Sequence, residues 1–183
     1  MKSFKQYLIE KKVIVYHGSK DIIDEFKYEY CGQRDDQLGS GFYFTTDIEE
    51  ARGYGKNVHK CEVNIKRPLD ADKIGNITFS QAYAFIKFSP DLDYSLSNWG
   101  DVKWEGKEKV MRTAAEGYTV KGENIVRSLF SLANDFYPGE IRKFNYKVLQ
   151  YMNYDGIIKH HTNGTDHYVA FFPDQIKILG IEE

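Results

Sequence analysis

Apolar residues along the chain fall into three regimes. From about 13 to 70 they come in short bursts. "VIVY" (13–16) reads as a strand, and "DIIDEFKY" (21–28) has helical spacing at Ile22, Ile23 and Phe26. "CGQRDDQLGS" (31–40) is a polar loop with a glycine near each end, and "GFYFT" (41–45) is an aromatic-rich strand. "TDIEEARGYG" opens a helix, with Thr46 or Asp47 as cap and Glu49 or Glu50 as the capping partner. Gly53 and Gly55 stop that helix after two turns. "KCEVNI" (60–65) alternates, with Cys61, Val63 and Ile65 on one face, and Pro68 ends the strand.

The second regime, about 71–153, is helical. Thr78 and Gln81 stand in capping-box spacing before "FSQAYAFIKF". Ile125, Val126, Leu129, Phe130, Leu132 and Ala133 repeat at helical intervals, as do Ile141, Phe144, Val148 and Leu149. "SPDLDYSLSNWGDVKWEG" (89–106) reads as a surface excursion holding both tryptophans, Trp99 and Trp104. The third regime returns to strands, "DGII", "HYVAFF" and "QIKIL", with "HTNGT" (161–165) as the turn between the first two. Strands enclosing a helical insert predict an α+β fold. The chain divides into an N-terminal extension, 1–12, and a single domain, 13–183, whose insert spans about 71–153.

Composition narrows this little. With 183 residues, net charge -2 and 28% charged residues, the chain is an ordinary globular domain with no strongly basic face. A nucleic-acid partner is neither implied nor excluded. Cys31 and Cys61 make no disulfide framework and fit a reducing compartment or simple burial. No apolar run reaches the ~18 residues of a membrane span, and the N-terminus lacks the apolar stretch of a secretory signal.

The candidate chemistry begins at "VYHGS" (15–19). His17 ends a strand at the sheet rim, and Gly18 lets a ligand approach the backbone. Taken alone, His17 is also what a satisfied strand-end histidine looks like. Tyr43 lies on one element and Tyr54, eleven residues on, at the end of the next. Singly each is a packing residue; together they can clasp a flat cationic ring, each contact being worth roughly 0.5–2 kcal/mol. His160, His161, Asp166 and His167 match no strong zinc spacing. Arg34 is either a pyrophosphate contact or a solvated loop arginine. "GSG" (39–41) is too short for a nucleotide-binding fingerprint. Gln175 in "PDQIKIL" is read as structural, satisfying backbone groups.

Taken in order, "VYHGS", "GSGFYFTTDIEEARGYG", "YDGII" and "HYVAFFPDQIKIL" resemble the ADP-ribosyltransferase superfamily. The resemblance is to the branch with a histidine–tyrosine–glutamate site, shared by diphtheria toxin and the poly(ADP-ribose) polymerases. It is strongest to the small transferase domains of phage and mobile-element polyvalent proteins. It covers the first and third regimes and implies a split two-sheet β core. It implies that His17 holds the nicotinamide-side ribose, Gly18 the carboxamide, and Tyr43 and Tyr54 the nicotinamide ring, with Ser19 beside them.

Two positions depart from the pattern. Ala51 stands where many relatives place a serine. His167 stands where they place a glutamate before the "YVVF"-like strand, with Asp166 preceding it. That glutamate stabilises an oxocarbenium-like transition state, whereas a neutral histidine brings no negative charge. The resemblance with these departures implies an NAD-dependent mono-ADP-ribosyltransferase using NAD as substrate, without metal, on an unknown protein or nucleic-acid acceptor and not at a membrane. The implied catalytic set is His17, Tyr43, His167 and Asp166. An NAD glycohydrolase and a catalytically silent NAD- or ADP-ribose-binding module are the alternatives. The phage-type resemblance implies an effector acting in the host cytoplasm. The insert of about 71–153, with Trp99 and Trp104, lies outside the resemblance and is read as the target-recognition surface, since insertions often sit on one face.

Overall fold

The structure, a computed structural model, describes residues 12–31, 38–119 and 124–182. Arg34 and the N-terminal extension up to residue 11 lie outside the described residues. Two compact units divide the chain. One is built from the described residues up to Cys31, from Gly41–Asp70 and from Tyr154 onward. The other holds Ala71–Asn153 and the short stretch before Gly41. The architecture is α+β.

The first unit is a seven-stranded sheet with one helix. Its strands are β1 (Lys12–Ser19), β2 (Phe42–Thr45), β3 (Asn57–Asn64), β4 (Pro68–Asp70), β5 (Gly156–His160), β6 (Asp166–Ala170) and β7 (Ile176–Glu182), in the order β4-β5-β6-β2-β1-β3-β7. Helix α1 (Ile48–Tyr54) follows β2. Only β4 and β5 run parallel. The β1–β3 ladder spans eight pairs from Lys12↔Asn64 to Ser19↔Asn57, whereas β1 meets β2 at Tyr16↔Thr45. The expected two half-sheets, β4-β5-β6-β2 and β1-β3-β7, are therefore joined at that narrow seam into one sheet.

One face of the sheet carries the core: Val15, Phe42, Phe44, Cys61, Val63, Tyr168 and Ala170, all buried, with Phe26 laid over them. Phe26 lies 5.3 Å from the Phe44 ring and 5.7 Å from Phe42, while Tyr28 lies 5.3 Å from Phe42. Aromatic pairs of this kind, edge-to-face for Phe26–Phe42 and tilted for the other two, add about 0.5–1.5 kcal/mol each beyond area burial.

These contacts correct the helix expected over 21–28. That segment is irregular up to a short 3-10 turn at Tyr28–Tyr30. The Ile23 N–H donates to His59 Nε2 across 36 residues at 2.8 Å, Ile22 is exposed, and Phe26 is pinned to the sheet. Tertiary contacts, the Phe26 ring on the sheet and the Ile23 N–H on His59, thus override the local helical spacing.

Beyond the "KCEVNI" strand, Pro68 opens the edge strand β4, a first-residue position at which it costs no ladder bond. Asp155 of "YDGII" is buried and accepts from the Arg67 N–H at 2.6 Å and the Lys66 N–H at 3.2 Å. Gln175 is structural as read: its amide donates to the Asp155 carbonyl and its oxygen accepts from Phe172 N–H, both at 2.9 Å.

The second unit contains α2 (Phe79–Lys87), α3 (Leu92–Leu96), α4 (Val102–Glu105), α5 (Lys107–Gly117), α6 (Ile125–Phe136) and α7 (Ile141–Met152). Thr78 and Gln81 form the expected reciprocal capping box. Helix α6 buries Ile125, Val126, Leu129, Leu132, Ala133 and Phe136. The stretch 89–106 is more ordered than its turn residues suggest. It holds α3 and α4, Leu96 is fully buried, and Trp99 packs on Tyr118 at 5.3 Å. Trp104, by contrast, is 89% exposed.

Candidate active site

Thr45 and Asp47 set the start of α1. The Asp47 carboxylate accepts from Glu49 N–H and Glu50 N–H, and Thr45 Oγ1 accepts from Asp47 N–H at 3.1 Å. Asp47 is the cap, but Glu50 does not complete a capping box. Its carboxylate accepts instead from the Thr45 hydroxyl at 2.6 Å and from His167 Nε2 at 2.8 Å. Thr45 and His167 are cross-strand partners in the β2–β6 ladder, so both point to the side on which α1 lies.

The other end of α1 rests on β1. A Cβ on Gly18 would stand 1.8 Å from the Ala51 carbonyl oxygen and 3.1 Å from Tyr54 Cβ. A Cβ on Gly55 would stand 2.2 Å from the Ser19 carbonyl carbon. The two glycines let the helix touch the strand. Ala51, at the place of the relatives' serine, is buried, with its backbone against Gly18.

The Tyr16↔Thr45 seam places Gly18 and Tyr43 two residues beyond it on either strand. Tyr43 and Thr45 share one face of β2, and Gly18 and Tyr16 share the corresponding face of β1. Tyr54 is 54% exposed and Tyr43 half-buried. Tyr43 on β2 and Tyr54 at the end of α1 thus lie on the same side of the sheet as Gly18, with Tyr54 directly beside it.

His17 sits across the seam. Its Nδ1 lies 2.8 Å from the Tyr43 carbonyl, so that nitrogen carries the proton and Nε2 of the neutral ring is an acceptor. Phe26 and Phe44 hold the imidazole at centroid distances of 5.2 and 5.8 Å. The Ser19 hydroxyl accepts from the Asp21 N–H at 3.3 Å.

At the hairpin end, His167 Nδ1 lies 3.1 Å from His161 Nε2, with ring centroids 4.3 Å apart. An open depression of about 200 Å³ lies there, lined by Asp47, Glu50, His161, Asn163, Thr165 and His167. Asp166 is turned to the other side of β6. Its carboxylate lies 2.7 Å from His160 Nδ1, and its backbone bonds Thr46.

Burial pushes the Glu50 carboxyl up. Hydrogen bonds from Thr45 and His167, together with the attraction of the His167 ring whenever it is protonated, outweigh it and leave Glu50 below the ordinary carboxylate range. Glu50 is the functional candidate that the sequence reading missed. Its signal was present at the N3 position of α1 but is indistinguishable there from a capping glutamate. Among the described residues no group of three or more His, Cys, Asp and Glu side chains is arranged to hold a metal ion.

These elements match a known family. The profile described as ADP-ribosyltransferase in polyvalent proteins covers residues 11–180, and the chain belongs to that family. Among curated proteins nothing matches. Among solved structures, a crystal structure of an anti-CRISPR protein is 16% identical, with a TM-score of 0.36, covering 92% of this chain and 96% of that one. A likeness that slight carries no argument. No helix among the described residues is long and apolar enough to cross a membrane.

Proposed function

We propose that this domain is an NAD-dependent mono-ADP-ribosyltransferase that cleaves the nicotinamide–ribose bond and passes ADP-ribose to a macromolecular acceptor. The observation that supports the reading most is the convergence of Gly18, Tyr43 and Tyr54 at the seam where β1 and β2 part. An oxidised nicotinamide is flat and cationic. Phenol faces from Tyr43 and Tyr54 stack on it and stabilise its charge, and the open Gly18 backbone receives the carboxamide. His17, its ring oriented by the Tyr43 hydrogen bond, serves as a hydrogen-bond partner for a ribose hydroxyl.

The bond breaks with its electron pair leaving on the ring nitrogen, so nicotinamide departs neutral and positive charge develops on the ribose. The carboxylate nearest the strand position usually held by glutamate is Glu50, bonded to His167. It supplies negative field at that end of the site. The family placement supports transfer in general. The phage effector role, action in the cytoplasm and an insert that recognises the target complete the proposal.

Incubation with NAD labelled in the adenylate half, in the presence of a bacterial lysate, tests the reading. Label on macromolecules together with released nicotinamide is the expected result. Release of nicotinamide with only free ADP-ribose makes the domain a glycohydrolase. Calorimetric binding of NAD without release makes it a silent binding module.

A further inference from the structure

Four side chains form one hydrogen-bonded line: Thr45 hydroxyl to Glu50, Glu50 to His167 Nε2, and His167 Nδ1 to His161 Nε2. The line ends in the depression beside the hairpin. Its polarity follows from chemistry. An ionised carboxylate only accepts, so His167 Nε2 carries a proton. Nδ1 of a neutral His167 is then an acceptor, and His161 Nε2–H donates a hydrogen bond to it. That assigns the lone pair of His161 to Nδ1, the one ring nitrogen left outside the line.

The site of bond cleavage is close. Glu50 and Tyr54 are four residues apart on α1, and so lie on one side of the helix one turn apart. Thr45 and Tyr43 are two residues apart on the same face of β2, roughly 7 Å along the strand. The hydrogen-bonded line thus runs alongside the place where the nicotinamide ribose lies if the proposed function holds.

We propose that His161 is the general base for the acceptor, oriented by the positioning residues His167 and Glu50, and that the acceptor is a neutral hydroxyl. This rests on the transferase reading above. In the step, the acceptor O–H proton passes to His161 Nδ1 as the oxygen bonds the anomeric carbon. The carbon–nitrogen pair leaves with nicotinamide, and the proton is later lost to water.

A carboxylate–histidine pair is the arrangement that makes a weakly acidic hydroxyl nucleophilic. The groups facing this line are Asp47 at the start of α1 and Asn163 and Thr165 from the hairpin, while the His160–Asp166 pair lies on the other face of β5 and β6.

Two measurements test the proposal. In the first, NAD is turned over in aqueous methanol, a hydroxyl probe, or with agmatine, a guanidine probe. The wild type is expected to form methyl ADP-riboside and to leave agmatine unmodified. His161→Asn should lose methanolysis by about tenfold or more and lose the acidic limb of its pH–rate profile, while NAD affinity stays within twofold. Nicotinamide release with a His161→Asn profile unchanged from wild type, or preference for agmatine, overturns the proposal and leaves the transferase reading intact. No nicotinamide release from wild type removes the reading itself and the proposal with it.

The second measurement does not depend on turnover. Nitrogen-15 spectra of the imidazoles should show His167 protonated at Nε2 and His161 bare at Nδ1. Glu50→Leu, which removes the acceptor, should abolish that preference, and the opposite tautomers in wild type overturn the proposal.

Discussion

The Gly18 α-carbon faces the Ala51 carbonyl so closely that a single added methyl would stand 1.8 Å from that oxygen. Helix α1 lies on β1 through this contact, and Tyr54 takes its position from it. Gly18→Ala is therefore expected to lift the helix end. The overpacking should cost about 1–3 kcal/mol of stability and weaken NAD binding further by moving Tyr54. Gly53, on the exposed side of the same helix, has nothing within 4 Å of its would-be Cβ. Gly53→Ala should instead stabilise by roughly 0.5–1 kcal/mol through helix propensity. Urea midpoints and calorimetric NAD titration of the two variants check the contrast.

Tyr54→Ala separates binding from folding. The side chain is more than half exposed, so the melting temperature should barely move. NAD affinity should fall by about 2- to 30-fold, the range for one lost stacking and cation–π contact of roughly 0.5–2 kcal/mol. Tyr43→Ala, in the sheet, should lose as much affinity and some stability besides. Unchanged affinity in both variants would remove the ring slot from the account.

Glu50 ties the site to pH. Its carboxyl is held below its ordinary value of 4.5 by the Thr45 and His167 hydrogen bonds, against the effect of burial. A carboxyl whose folded-state value is depressed stabilises the fold fully above its unfolded value, and the contribution fades as pH falls through the folded one. The denaturation midpoint of wild type should thus exceed that of Glu50→Gln from pH 7 down to about 5. The gap should close below 4.5. A gap that widens on acidification contradicts the assignment.

Local patterns carried the fold where burial follows the strand period. Cys61, Val63 and Ile65 alternate because one face of β3 is core, and the hairpin at 161–165 announces itself through its turn residues. Two local patterns misled. Ile22, Ile23 and Phe26 have helical spacing, yet the Ile23 N–H bonds His59 on another strand and the Phe26 ring is laid on the sheet. Glu50 has capping-box spacing, yet its carboxylate turns to His167, 117 residues away. Helix α5 had little contrast to show, since half of its buried face is Ala114 and Ala115. His17, Gly18, Tyr43 and Tyr54 were singled out by their order and spacing through the family resemblance. The His161–His167–Glu50 line was not, because only the β2–β6 register brings its members together.

The core face beneath His17 offers a probe of whether the site opens without unfolding. Cys61 is fully buried among Val15, Val63 and Phe44, and burial pushes its thiol up to about 12. At pH 8 about one thiol in ten thousand is ionised on that basis, and the thiolate is the species that reacts. A disulfide reagent should therefore label Cys61 through unfolded molecules. Cys31→Ser removes the half-buried second thiol from the measurement. In that variant, labelling should accelerate with urea in parallel with loss of the circular dichroism signal, and saturating NAD should slow it. Fast labelling in native buffer would mean that the β1–β3 half of the sheet separates from Phe26 and Phe44 on its own, and the seam that positions His17 would then be mobile.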